Sequence, residues 1–107
     1  RDWGIAGDNV RAMWHMLQQP VAEDFVIATG VTHSVREFCE IAFSHVGLDY
    51  HDFVRIDTQW AGRNEVIELR GNPARAWQRL GWQPSVSFAD LVCMMVDADL
   101  AQLKYDT

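Results

Sequence analysis

The 107-residue sequence carries 15 acidic against 9 basic side chains, a formal net charge of −6, with 49% hydrophobic residues and five Trp. Such apolar content excludes a disordered tail, and the acidic balance argues against a general nucleic-acid binder, which presents a basic face. No apolar run approaches the roughly 20 residues that span a bilayer, so neither nucleic acid nor membrane is an expected partner. The length suits one domain, residues 1–107, with a modest core. No leader-like segment and no initiating Met stand at the start, so the expectation is a chain that begins inside a longer protein or was cut from one.

Trp3 to Ala6 reads as a short extended piece. Asp8 then offers an N-cap, and Val10, Met13, Trp14 and Leu17 recur at helical spacing with Arg11, His15 and Gln18 opposite. Pro20 stops this helix. Phe25 to Ala28 is an apolar, β-prone run of the kind buried on both faces of a sheet. Thr29-Gly30 breaks it. Ser34 with Glu37 three residues on, followed by apolar Val35, Phe38, Ile41 and Ala42, is a capping box opening a second helix that runs to about Val46, with Gly47 as its C′ residue. Strand, glycine turn and capped helix form half of a βαβ unit. The turn lies where open α/β sheets place ligands.

Leu48 to Phe53 is too short to classify beyond a turn of helix, and Val54 to Asp57 alternates as a second strand. Thr58 to Asn64 is a loop, and Glu65 to Leu69 a candidate third strand. Asn72 caps and Pro73 opens a short helix closed by Gly81. Ser87 and Asp90 start the last helix as a weaker capping box, with Phe88, Leu91, Val92, Met95 and Val96 facing inward. The expected fold is therefore α/β, a small two- or three-stranded sheet packed with four helices.

Little in the chain points to chemistry of its own. Glycine-rich phosphate loops of the dinucleotide and Walker kinds are absent, as is a Gly-x-Ser-x-Gly elbow. Cys39 and Cys93, far apart in helical patterns, read as buried free thiols of a cytosolic protein, so a cytoplasmic location is expected. The four His show no ligand spacing, so no metal site is expected. Glu37, four residues after His33, reads as a capping residue beside a turn His. The five Trp read as core and contact residues.

Three stretches carry a resemblance. Arg1-Asp2-Trp3-Gly4 with Ala6-Gly7-Asp8, Val10 and Ala12-Met13-Trp14 resembles the RDWG-x-AGD-x-V-x-AMW run of the GDP-mannose 4,6-dehydratases, members of the extended short-chain dehydrogenase/reductase family. ATGVTHSVREF, residues 28–38, resembles their ATG-x-x-HSVREF segment, and Asn72 to Ala76 with Leu80 to Pro84 resembles DPSKA…LGWKP. The matches keep the family's order, and all belong to the carboxy-terminal part of such an enzyme. The resemblance thus implies a substrate-binding domain lacking the Rossmann domain.

The intact family enzyme is implied to hold NADP tightly, oxidise the sugar at C4, lose water across C5–C6 and return hydride at C6. Cofactor, base and elimination residues would lie outside this chain, which has no Tyr followed four residues later by Lys. No catalytic, cofactor-binding or metal residue is therefore expected within it. By resemblance Arg1 reaches the nucleotide diphosphate, a task suited to its planar fork; the other reading is a solvated terminal Arg. Arg63 and Glu65 are the second candidates: the family's R-P-x-E-V-D run, whose Arg and Glu resemble contacts to the nucleotide diphosphate and ribose, corresponds to Gly62 to Ile67, where Glu65 aligns but Arg63 is moved by one position and the Pro and Asp are replaced. One residue's displacement on an extended segment turns a side chain to the other face, so Glu65 carries over better than Arg63. Thr32, His33 and Arg36 belong to the fingerprint and read chiefly as packing and turn residues. The expected partner is a GDP-sugar. The alternative is an orphan truncated domain acting as an interaction module, forming a homodimer or higher oligomer through an exposed apolar face.

Overall fold

The computed structural model describes residues 1–59 and 68–106. Four helices follow in order: α1 (Ala6–Leu17), α2 (Val35–His45), α3 (Ala74–Leu80) and α4 (Phe88–Asp106), with a single 3-10 turn at Tyr50–Asp52. They pack in two pairs, α1 with α3 and α2 with α4, and the 3-10 turn lies on α2, where Phe53 stacks on Phe43 at 5.5 Å.

Local signals explain the helix ends. Ser34 Oγ accepts from the Glu37 N–H at 3.1 Å while Glu37 reaches back to the Ser34 N–H, closing the expected capping box. Past the other end of α2, Gly47 takes φ 77°, and the Leu48 N–H reaches the Phe43 carbonyl at 2.9 Å. Asn72 Oδ1 accepts from the Ala74 N–H at 3.1 Å, but Pro73, expected as the first helical residue, stands at the cap and α3 begins one residue later; Gly81 closes it in the left-handed region at φ 65°. Ser87 supplies half of the box anticipated for α4, its Oγ accepting from the Asp90 N–H at 3.2 Å.

The expected sheet is absent: among the described residues there is no strand, and the fold is helical. Phe25 to Ala28 and Val54 to Asp57 lie in irregular backbone. An apolar run becomes a strand only when a second backbone lies beside it to complete the ladder. No backbone hydrogen bond among the described residues involves 25–28, and Val54 is tied back to the Tyr50 carbonyl at 2.8 Å instead. Of the third candidate strand, 65–67 lies outside the described residues, and Glu68 and Leu69 are irregular.

Ala12, Ala76, Leu80 and Trp82 form the core, with Met16, Phe25 and Ile27 packed against them. The two alanines let α1 and α3 approach closely. This turns α1 away from the orientation its spacing suggests: Val10, Met13, Trp14 and Leu17 are exposed, and Asp8 and Ala12 are its buried residues. Between α2 and α4, Val92 and Leu91 are buried while Met95 is half exposed, against expectation. Cys39 and Cys93 are free and only partly buried.

Candidate functional site

The two aspartates of the first motif organise the site. Asp2 Oδ1 accepts from the Thr29 N–H at 3.0 Å and the Thr29 hydroxyl at 2.6 Å, and Oδ2 accepts from Gly30 N at 2.9 Å and Gly71 N at 3.2 Å. One carboxylate thus joins three stretches distant in sequence. Thr29 Oγ1 in turn accepts from Val31 N at 3.2 Å, and Gly30 adopts φ 82°, where a side chain is strained. Gly71 is required for a different reason: a Cβ there would stand 2.3 Å from Ala28 Cβ. Burial pushes the Asp2 carboxyl up, but the hydroxyl and three N–H donors outweigh it and hold it below the ordinary value.

Asp8 is not the N-cap of α1; the helix begins before it, with Ile5 at the cap. Its side chain, 6% exposed, accepts from Ser85 N at 2.8 Å and Ser85 Oγ at 2.6 Å, while its carbonyl accepts from Trp82 Nε1 at 2.8 Å. Burial raises this carboxyl too; the Ser85 bonds and the nearby Arg11 guanidinium more than reverse that. The Arg11 guanidinium also donates to the Gln83 carbonyl. The first motif therefore holds the other two, Asp2 the ATG turn and Asp8 the turn after Trp82.

Arg1 is exposed, yet its backbone is fixed, exchanging two hydrogen bonds with His33 at 2.9 Å each. His33 stacks on Phe88 at 3.9 Å, and its Nδ1–H donates to Glu37 Oε2 at 2.6 Å, which holds the Glu37 carboxyl below its usual value. Glu37 is thus both cap and histidine partner, as its spacing suggests. Trp3 packs on Phe88 and Phe38, at 5.3 and 5.4 Å, and those two rings also meet, at 6.0 Å. A cavity of about 650 Å³ opens here, lined by Trp3, His33, Glu37, Glu40, Ser87 and Phe88 among others.

Among the predicted site residues, Arg1 stands next to this cavity's edge through His33. Arg63 and Glu65 lie outside the described residues. The segment that follows them does come to Arg1's side of the molecule: Glu68 Oε1 accepts from the Thr32 hydroxyl at 3.2 Å, and Gly71 is bound by Asp2. Arg36 lines a separate cavity with Tyr50 and His51. Asp2 was not singled out as a site residue. Its signal was present in an Asp within a short non-helical stretch, flanked by Arg and Trp.

The Thr29-Gly30 turn is not a phosphate cradle for a dinucleotide. Its N–H groups are already taken by the Asp2 carboxylate, and the α2 N-terminus is closed by its own box. Among the described residues, this turn does not fit the phosphates of NADP. Among the described residues no group of three or more His, Cys, Asp or Glu side chains could hold a metal ion. Among the described residues no helix is long and apolar enough to cross a membrane.

Comparison with known proteins agrees with the three motifs. Residues 1–95 match the sequence model of the GDP-mannose 4,6 dehydratase family. GDP-mannose 4,6 dehydratase 1 of Arabidopsis thaliana is 49% identical over 104 residues, covering 97% of this chain and 29% of the relative. The human GDP-mannose 4,6 dehydratase is 41% identical and that of Yersinia enterocolitica 38%, each covering 97% of this chain and 32% and 35% of the relative. The chain belongs to the GDP-mannose 4,6-dehydratase family. It spans about a third of the length of these relatives.

Proposed function

We propose that this chain is the carboxy-terminal, nucleotide-sugar-binding part of a GDP-mannose 4,6-dehydratase-like protein, binding a GDP-sugar and not catalytic by itself. The observation that carries the reading is the convergence at Arg1: its backbone is locked to His33, and the segment following Glu65 is bound to its neighbour Asp2. Arg1 would fork onto the diphosphate and Glu65 would accept from the ribose hydroxyls. The chain's contribution to the family reaction would then be binding and orientation, with the reacting groups, and the NADP the family resemblance implies, supplied by polypeptide outside these residues.

Calorimetric titration with GDP-mannose, against GDP and UDP-glucose, tests this. Saturable binding favouring the guanine nucleotides is expected. Arg1→Ala should weaken it about tenfold, the scale of one charge-assisted hydrogen-bonded contact. The absence of heat at millimolar GDP-mannose would contradict the reading.

A second reading is supported by the exposed apolar face of α1, where Val10, Met13, Trp14 and Leu17 are 62, 60, 58 and 82% exposed. Such a face favours association with another polypeptide, and in the absence of any other it favours a homodimer. Sedimentation equilibrium checks this: a dimer at micromolar concentration that Met13→Glu converts to monomer is the expected result, and a monomer throughout is the contrary one.

A further inference from the structure

We propose that Asp2 is the positioning residue of the nucleotide-sugar site, acting through Arg1; this rests on the reading that Arg1 meets the diphosphate. The carboxylate takes four donors from two separate turns, three of them backbone N–H groups. Only an ionised carboxylate suits that set, because both oxygens accept and neither carries a proton. An Asn would turn an NH2 group toward N–H donors on one side and leave them unpaired in a part-buried place.

The bonds also set distances that matter for a ligand. Gly71 lies six residues after Glu65, and its N–H is fixed to the residue next to Arg1. Thr29 and Gly30 lead into the His33 backbone that pairs with Arg1 on both sides. Asp2 therefore keys the Arg1 backbone to both the fingerprint turn and Gly71.

The test is a double-mutant cycle on the full chain, read by calorimetric titration with GDP-mannose and with far-UV circular dichroism to follow folding. Asp2→Asn is expected to weaken binding about tenfold while the helical spectrum is kept, and to weaken it by less than about twofold when Arg1 is already Ala. A merely structural residue would not show that dependence on Arg1. Thr29→Val, which removes the 2.6 Å hydroxyl bond to Asp2 and the local Thr29–Val31 contacts while keeping all three backbone donors to the carboxylate, is expected to lose about threefold in affinity and nothing in the Arg1→Ala background. If Asp2→Asn unfolds the chain, Thr29→Val decides. Wild-type affinity in both variants, or losses that multiply with that of Arg1→Ala, would overturn the proposal while leaving the binding site in place. Wild-type chain that gives no saturable heat, or binding indifferent to Arg1→Ala, would overturn the reading beneath it as well.

Discussion

At the scale of residues, Asp2 and Asp8 show how two carboxylates can hold together segments that have almost no sheet or large core to unite them. Both are ionised more readily in the folded chain than in an unfolded one, where an Asp titrates near 3.9. A depressed folded pKa adds stability that is present above the unfolded value and is lost as pH falls through the folded one. Thermal unfolding between pH 7 and pH 2.5 should therefore show a midpoint that is steady above about pH 5 and falls below about pH 4. Asp8→Asn should flatten that fall; an unchanged acid limb would contradict the role given to Asp8. Ser85→Ala, which leaves the buried carboxylate with one fewer donor, should cost about 1–3 kcal/mol in denaturant unfolding. Spacing alone suggested an N-cap for Asp8, because a cap and a distant tie look identical in a local window. What separates them is the position of Ser85, and that is a tertiary fact.

At the scale of elements, the helices were legible because their signals are local. Ser34 with Glu37, Gly47 and Gly81 each act within a turn or two and do in the structure what their spacing implies, and Ser87 with Asp90 forms half of its box. The expected sheet does not form, because Phe25 to Ala28 has strand composition but makes no ladder hydrogen bond among the described residues. The face of α1 is a related case: its apolar periodicity is real, yet the stripe points outward and Ala12 makes the close contact with α3 instead. Periodicity reports that a face is apolar and leaves open what covers it. Two substitutions separate these surfaces. Leu80→Ala, within the core, should destabilise by about 2–5 kcal/mol. Leu17→Gln, 82% exposed, should change monomer stability by less than about 0.5 kcal/mol.

At the scale of the whole molecule, the Cα radius of gyration is 17.2 Å, against about 13 Å for a compact domain of this length. Two helix pairs joined through the first motif, rather than one enclosed core, account for that extension. The family membership was legible from three short motifs, and the structure gives them a common cause, since the first of them holds the other two through Asp2 and Asp8. Of the residues proposed for binding, Arg1 has its backbone paired with His33, Asp2 carries no local sequence signal because its partners at Thr29, Gly30 and Gly71 are distant in sequence, and Arg63 and Glu65 lie outside the described residues.

The most direct test of a nucleotide-sugar site built around Arg1 is a titration of the isotope-labelled chain with GDP-mannose, followed by amide chemical shifts. The account predicts saturable shifts concentrated at Asp2, Thr29, Gly30, His33 and Gly71, with α1 and the far end of α4 unmoved. Shifts confined to α1, or none at millimolar GDP-mannose, would contradict it.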